Sequence, residues 1–444
     1  MDIYDKLFDS IEKQKEDILE VLDWIWEHAE LGYKEWNTHH YLMSKFVELG
    51  YQVHEVGNIP GFYIDIDTGK KGPCVGVFGE LDALYIPDHP QCNKENGAVH
   101  ACGHHTQCAS IYGVAIGLND KEILSKLCGK IRIFAVPCEE LVSGEFYDNL
   151  KKEGVIKFFG GKKEFIRRGL LKDVDMTIMI HGGRKGFSLN KGCNGSIAKK
   201  YIFTGESRHV AGAFDANNTI YAASLGMMAG NALRERFVEK YIQRYYANVI
   251  KSGEAPGNTP GITIVDCGLR ALTLDKLLQM NKDFDQAYMG AAISMGCKLD
   301  IQTEMDYLPR VEDKNLQNVF LNVAKKLFKE EDIHTNLDPA SGCTDLGDVS
   351  SLIPCCHAFI GDGGPAGHTN KFVVTDKYAR GVLAAKTQAG VIVQLLINNG
   401  EMAKKVKDEY QPAFKSVEEY IDFINNMNKT CEAVRYLEKD IIFK

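Results

Sequence analysis

The sequence lacks the long apolar runs and the concentrated positive charge that mark membrane proteins and nucleic-acid-binding proteins. No apolar run approaches the roughly 20 residues that a membrane-spanning helix needs. Residues 1–20 are charged and amphipathic, without the apolar core of a signal peptide. The 444 residues carry a net charge of −8, and no basic stripe stands out. We therefore expect a cytoplasmic protein with neither a membrane nor a nucleic acid as its partner.

Cysteine is present, but without the spacing of a disulfide framework. The 13 cysteines are odd in number and are scattered from Cys74 to Cys431. This pattern indicates reduced thiols in a reducing compartment, most of them packed as small hydrophobic side chains. Cys102 is the exception, because it lies in a polar motif that is described below.

The chain is too long for one ordinary hydrophobic core, so two domains are expected. Short apolar runs bounded by glycine predict strands at 75–78, 131–136, 176–180 and 357–360. Helical patterns separate these strands. The sequence therefore predicts an α/β fold with a mixed, largely parallel sheet that is covered by helices.

A different pattern occupies residues 193–308. It predicts strands at 197–203, 262–265 and 298–305, with helices at 216–233 and 274–295. This β-α-β-α-β order resembles a ferredoxin-like unit that is inserted into a larger domain. We therefore predict a metal-binding catalytic domain of residues 1–192 and 309–444, and an inserted lid or dimerisation domain of residues 193–308.

Polar residues of metal-binding types follow each of the four predicted strands. The segments are GELD (79–82), PCEE (137–140), HGG (181–183) and GHT (367–369), and a fifth, HACGHH (100–105), precedes a predicted helix. Ligands of open α/β sheets bind beyond the carboxyl ends of the strands, so these segments should converge on one crevice. Taken singly, each has an ordinary interpretation: adjacent glutamates are usually solvated surface, and a lone histidine is usually structural.

The combination favours a metal centre. Thiolate, imidazole and carboxylate groups are the mixed donors that Zn²⁺ and Mn²⁺ accept. The segments contain more of them than one tetrahedral ion uses. Two divalent ions about 3.5–4 Å apart, joined by a shared ligand, would activate a water nucleophile.

Five motifs carry a resemblance to a known family. HACGH (100–104), GELDAL (79–84), VPCEE (136–140), IHGG (180–183) and GHTNKF (367–372) resemble motifs of the di-metal aminoacylase and carboxypeptidase family. The nearest branch includes aminobenzoyl-glutamate hydrolase, hippurate hydrolase and indole-acetyl-amino-acid hydrolase. SGCTDLGDVS (341–350) and GEAPGNTP (253–260) are similar to segments of the aminobenzoyl-glutamate hydrolase group.

The resemblance implies a role for individual residues. The implied metal ligands are Cys102, His104, Glu140, His181 and His368. Glu139 would be the general base that takes a proton from the attacking water. Asp82 would hold a ligand imidazole in its tautomer. His209, in GESRHVAG (205–212), matches a catalytic histidine that polarises the substrate carbonyl in relatives, often across a dimer.

The chain departs from the family pattern at two places. The hippurate hydrolase branch has CGHDGH where this chain has CGHHTQ (102–107), and Gly257 stands where the aminobenzoyl-glutamate group has asparagine. Neither change affects an implied metal ligand. Arg270, Thr344 and Asp345 are predicted substrate contacts, although Arg270 fits a surface salt bridge equally well.

These observations predict a metallo-amidohydrolase that cleaves an N-acyl-amino acid or an aminobenzoyl-glutamate-like amide with a free carboxylate on its leaving group. The lid strands and the resemblance also predict a homodimer paired through the lid. A dipeptidase or carboxypeptidase with the same machinery is one alternative. A catalytically inactive binding protein is another, and we favour the enzyme because the base and all five implied ligands are present.

Overall fold

The chain forms two compact units. The computed structural model describes residues 2–140, 144–437 and 440–443. The first unit comprises Met1–Gly192, Val311–Asp338 and Asp348–Val417. The second comprises Cys193–Arg310, Pro339–Gly347 and Glu418–Lys444.

The helices and strands are numbered along the chain. The strands are β1 (Val53–Glu55), β2 (Phe62–Asp67), β3 (Cys74–Glu80), β4 (Leu84–Tyr85), β5 (Ala98–Val99), β6 (Lys130–Val136), β7 (Met176–Asn190), β8 (Gly195–Thr204), β9 (Arg244–Lys251), β10 (Ile262–Ala271), β11 (Lys298–Tyr307), β12 (Ile333–Leu337), β13 (Cys355–Gly361), β14 (Lys429–Leu437) and β15 (Asp440–Phe443). The α-helices are α1 (Ile3–Lys13), α2 (Lys15–Glu27), α3 (Trp36–Glu48), α4 (His104–Leu118), α5 (Lys121–Leu124), α6 (Glu145–Lys152), α7 (Gly161–Arg167), α8 (Thr219–Ala232), α9 (Leu274–Ser294), α10 (Lys314–Leu327), α11 (Leu346–Ser350), α12 (Ala384–Leu396), α13 (Glu401–Glu409) and α14 (Val417–Met427).

The first unit is built on a mixed sheet with the order β1-β2-β6-β3-β7-β12, in which β13 also pairs with β7. The pairs that β3 makes with β6 and β7 are parallel, as are those that β7 makes with β12 and β13. The β1–β2 and β2–β6 pairs are antiparallel. The predicted fold class is therefore confirmed, and the four predicted strands lie within β3, β6, β7 and β13.

Burial explains the sequences of the central elements. Every residue of β3 is buried, as a strand covered on both faces requires, and this accounts for its near-continuous apolar sequence. Helix α4 is buried along its whole length and packs on β3, α2 and α12. A Cβ added at Gly113 would lie 2.6 Å from the Cβ of Ala385, so glycine permits the close approach of α4 and α12. Because α4 begins at His104, this packing fixes the position of that histidine.

The second unit contains an antiparallel sheet with the order β9-β10-β8-β11-β14-β15. Along the chain its elements run β8-α8-β9-β10-α9-β11, and helices α8 and α9 pack against each other. The sequence prediction missed β9, a strand whose side chains are largely exposed and which therefore lacks a clear apolar alternation. With β9 included, the order along the chain is the ferredoxin-like one.

The compact units differ from the predicted domains at residues 339–347 and 418–444. Both segments were predicted within the catalytic domain, whereas they belong to the second compact unit. For the C-terminal segment the reason is strand pairing, because β14 pairs with β11 and extends its sheet. Such a pairing joins distant parts of the chain and leaves no local signal in the sequence. The role of the second unit as a lid or dimerisation domain stays a prediction.

Membrane-spanning potential was assessed over the described part of the chain. There, no single helix is long and apolar enough to cross a membrane. One bent pair, Tyr378–Leu396 with Asn398–Glu409, would be so by length and composition together.

Candidate active site

The polar motifs of the first unit meet around three side-chain groups. In each group the ligand atoms lie within 4.8 Å of one another. The groups are Cys102–His104–His181, Cys102–Glu140–His368 and Glu80–His104–Glu139. The first two contain all five predicted metal ligands and share Cys102, which is the arrangement expected of a thiolate between two ions. The structure thus brings these residues together, while their role as ligands stays a prediction.

His104 has a defined orientation. Its Nδ1–H donates to the backbone oxygen of Asp82 at 2.9 Å and to Asp82 Oδ1 at 3.0 Å, so Nε2 is left to face the site. The second carboxylate oxygen, Asp82 Oδ2, accepts from the backbone N–H of Glu140 at 2.8 Å. Asp82 therefore orients one proposed ligand and the backbone of another, which agrees with its predicted supporting role.

Electrostatic interactions perturb the site in opposite directions. Burial acts to lower the pKa of His104, but Glu80 and Cys102 outweigh it and raise that pKa well above its usual value. Burial lowers the pKa of His181 to about 4, so this imidazole is neutral and its lone pairs can bind a cation. Its Nε2 lies 3.2 Å from Cys102 Sγ. A buried cluster of perturbed groups of this kind is typical of functional sites.

The two adjacent glutamates face different neighbours. Glu140 Oε1 lies 3.3 Å from His368 Nε2, while Glu139 Oε2 lies 3.9 Å from His104 Nε2. The turn that separates their directions follows β6 and includes Cys138, whose φ of 51° is uncommon for a residue other than glycine. The geometry therefore allows different roles for Glu139 and Glu140.

One predicted ligand differs from the expected strand-end position. The sequence places the end of a strand at residue 180, but β7 continues to Asn190, and His181 lies inside it. Gly182 follows His181, and a Cβ there would lie 2.0 Å from Nη2 of Arg380. A Cβ at Gly103 would lie 2.3 Å from the same nitrogen. The buried guanidinium of Arg380 thus occupies space that two glycines beside the proposed ligands leave open, a contact that sequence reasoning missed.

A cavity of about 540 Å³ adjoins Glu140 in the first unit. Its apolar lining includes Leu31, Leu84, Tyr85, Phe146 and Tyr147. Lys34 also lines it, with Nζ 4.3 Å from the centroid of the Phe146 ring. Cavities that combine aromatic walls with a few polar groups are typical of small-molecule sites.

The remaining predicted site residues belong to the second unit. His209 precedes a 3₁₀ turn, and its Nδ1 accepts from the backbone N–H of Ala211 at 3.2 Å. Arg270 lies on β10 with Nη1 3.5 Å from the backbone oxygen of Ser341. Thr344 and Asp345 are both buried. The catalytic role of His209 and the substrate contacts of Arg270, Thr344 and Asp345 stay predictions.

The family assignment follows from a match that covers most of the site. The sequence model of peptidase family M20/M25/M40 matches residues 76–387, a range that includes every residue from Glu80 to His368. The chain belongs to this family. It is a hydrolase of amide or peptide bonds, and the predicted family resemblance is confirmed.

Individual relatives agree with this M20 assignment. The chain is 24% identical to hippurate hydrolase of Campylobacter jejuni, over 80% of this chain and 90% of the relative. It is also 24% identical to p-aminobenzoyl-glutamate hydrolase of Escherichia coli, over 92% of this chain and 95% of the relative. A dinuclear metal-binding M20 peptidase of Bacillus subtilis has the same fold, with a TM-score of 0.68 and 18% identity over 87% of this chain and 99% of that structure.

Proposed function

We propose that this M20 hydrolase uses two divalent ions, Mn²⁺ or Zn²⁺, to cleave an N-acyl-amino acid or an aminobenzoyl-glutamate-like amide. The observation that carries the proposal is the pair of three-residue groups that share Cys102. Hippurate hydrolase and aminobenzoyl-glutamate hydrolase among the relatives support the substrate class. The dinuclear B. subtilis peptidase supports the number of ions.

The chemistry of the donors fits these ions. Sulfur, imidazole nitrogen and carboxylate oxygen are all ligands of Zn²⁺, and the nitrogen and oxygen donors also suit Mn²⁺. The Nδ1–H of His104 is bound to Asp82, which leaves Nε2 as the donor atom, as in most histidines that bind metals. Ions bound there would polarise the substrate carbonyl and lower the pKa of a water.

In this proposal the protein groups divide the remaining work. Glu139 accepts the proton of the attacking water and returns it to the leaving amine. Asp82 keeps His104 in the tautomer that directs Nε2 to the site. His209 is proposed to polarise the substrate carbonyl.

The substrate can be oriented from the charges around the cavity. Beside Glu140 the cavity walls are apolar, and Glu145 adds a second carboxylate there. A carboxylate of the substrate would be repelled at this place, so the cavity suits the acyl group. The free carboxylate of the leaving amino acid is proposed to contact Arg270, Thr344 and Asp345.

We also propose a cytoplasmic homodimer that pairs through the second unit. Strand β9 ends the order of its sheet, and helix α8 exposes the apolar side chains of Tyr221, Leu225 and Met228. An edge strand beside an apolar helix face offers a self-complementary surface. Met228 is 68% exposed, so Met228→Glu should preserve the fold and yield monomers in light scattering. A variant that stays as dimeric as the parent would place the interface elsewhere.

A hydrolysis screen tests the activity. The metal-depleted protein is assayed with hippurate, aminobenzoyl-glutamate, N-acetyl-amino acids and dipeptides, each with Mn²⁺, with Zn²⁺ and with chelator. We expect metal-dependent hydrolysis of the N-acyl-amino acids, and its loss in Glu139→Gln. Faster cleavage of dipeptides would favour the peptidase alternative. Two bound ions without hydrolysis of any of these amides would contradict the proposed activity.

A further inference from the structure

Glu80 is a buried carboxylate at the metal centre that the predicted ligand set does not include. It is the last residue of β3 and is 1% exposed. Its Oε2 lies 3.0 Å from His104 Nε2, the nitrogen that faces the site. Glu80 also forms one of the three candidate ligand groups, together with His104 and Glu139. Its position therefore requires an explanation beyond core packing.

Two neighbours hold this carboxylate in place. Lys162, which is fully buried, donates from Nζ to Glu80 Oε1. Gln107 donates from Nε2 to Glu80 Oε2 at 2.8 Å, and its own Oε1 accepts from the backbone N–H of Glu80 at 3.2 Å. Gln107 stands where the CGHDGH motif has its last histidine, so the departure of this chain from that motif supplies a partner for Glu80. The carboxylate is thus fixed with Oε2 towards His104.

The separation of Glu80 and His104 matches that of the proposed ligand pairs. Cys102 Sγ lies 3.2 Å from His181 Nε2, and Glu140 Oε1 lies 3.3 Å from His368 Nε2. Two donors that bind one ion at about 2.1 Å, with an angle of about 90–110° between them, lie about 3.0–3.4 Å apart. The 3.0 Å between Glu80 Oε2 and His104 Nε2 is at the short end of this range.

The proton inventory points the same way. Asp82 already accepts the Nδ1–H of His104, so a neutral His104 presents the lone pair of Nε2 to Glu80. Two acceptor atoms that face each other at hydrogen-bond distance repel unless a proton or a cation lies between them. A metal ion bound by both atoms removes this repulsion and satisfies both.

We propose that Glu80 is a sixth protein ligand of the metal centre and binds the same ion as His104. The proposal rests on the two-ion function proposed above. Glu80 contributes a full negative charge from an oxygen that Lys162 and Gln107 hold rigidly, so it strengthens binding of that ion with little loss of conformational entropy. In the alternative, Glu80 accepts a hydrogen bond from a protonated His104 and never touches the metal.

A metal-loaded crystal structure of the unaltered protein separates these two possibilities. With Mn²⁺ or Zn²⁺ located by anomalous scattering, Glu80 Oε2 should lie about 2.0–2.2 Å from the ion that His104 binds. A distance beyond about 3 Å, with both ions bound to the Cys102 groups, would overturn the proposal and leave the proposed function standing. Absence of any bound ion would overturn both.

Metal titration of variants gives a second measurement. Glu80→Gln should bind one of the two ions at least about 10-fold more weakly, as judged by calorimetry and by metal content after dialysis. The matched control is Glu30→Gln, because Glu30 is also a buried carboxylate, and its oxygens accept from Asn37 and Thr38 outside the ligand groups. Glu30→Gln should bind both ions as the parent does. Unchanged affinity for both ions in folded Glu80→Gln would contradict the ligand role.

Discussion

The two adjacent glutamates offer the most direct test of the active-site model. Glu139→Gln keeps the size and polarity of the side chain but removes its capacity to accept a proton. Glu140→Gln makes the same chemical change one residue along the chain, where Oε1 lies 3.3 Å from His368 Nε2. Because the two side chains face different neighbours, the same substitution should have different consequences.

The expected magnitudes follow from the two proposed roles. A positioned acid–base group contributes about 10²–10⁴-fold to the rate, so Glu139→Gln should lower kcat by that factor, or about 3–5 kcal/mol of activation free energy. It should retain both ions. Residues that only support a ligand change metal affinity by about 10–100-fold, so loss of the Glu140 carboxylate as a direct ligand should cost more than about 100-fold at one ion.

The assay combines metal content by mass spectrometry with turnover of one good substrate. Glu153→Gln, at the exposed end of α6, is a control that should change neither quantity. Loss of metal from Glu139→Gln, with metal retained in Glu140→Gln, would show that the two roles are reversed. If neither variant changed metal content or rate, residues 137–140 would be ordinary surface and the active-site model would be wrong.

Three further predictions concern a thiol, a glycine and a buried histidine. Thiol reagents should inactivate the metal-depleted enzyme by labelling Cys102, and bound metal should protect it; equal labelling with and without metal, mapped by mass spectrometry, would count against its ligand role. Gly182→Ala should weaken metal binding about 10-fold or more, because the new methyl group would lie 2.0 Å from Arg380 Nη2, whereas Gly290→Ala has no atom within 4 Å and should not; equal metal affinity in both variants would refute this. Burial lowers the pKa of His39 from 6.5 to about 4, so the unfolded chain binds a proton in that range and the folded protein does not. Stability should therefore fall by up to about 3 kcal/mol as the pH drops from 6.5 to 4, and denaturant titrations should show less of this fall in His39→Asn.

Several parts of the site were predictable because their signals are local in the sequence. Strand β3 is buried on both faces and therefore reads as an apolar run, and the polar residues Glu80 and Asp82 mark its end. The same holds for β6 and the glutamates that follow it. Strand β9 was missed because its side chains are largely exposed and do not alternate.

The sequence by itself determined the fold class, the family and the kinds of donor atom, since apolar runs, turn residues and motifs are properties of short segments. Only the tertiary structure decided which donors meet. Cys102 and His181 are 79 positions apart, and their contact depends on the pairing of β3 with β7 and on the packing of α4 against β3. The contacts of Lys162 with Glu80 and of Arg380 with the ligand-bearing glycines likewise join distant segments. Such contacts leave no periodic pattern in the chain, because they form only when its elements pack together.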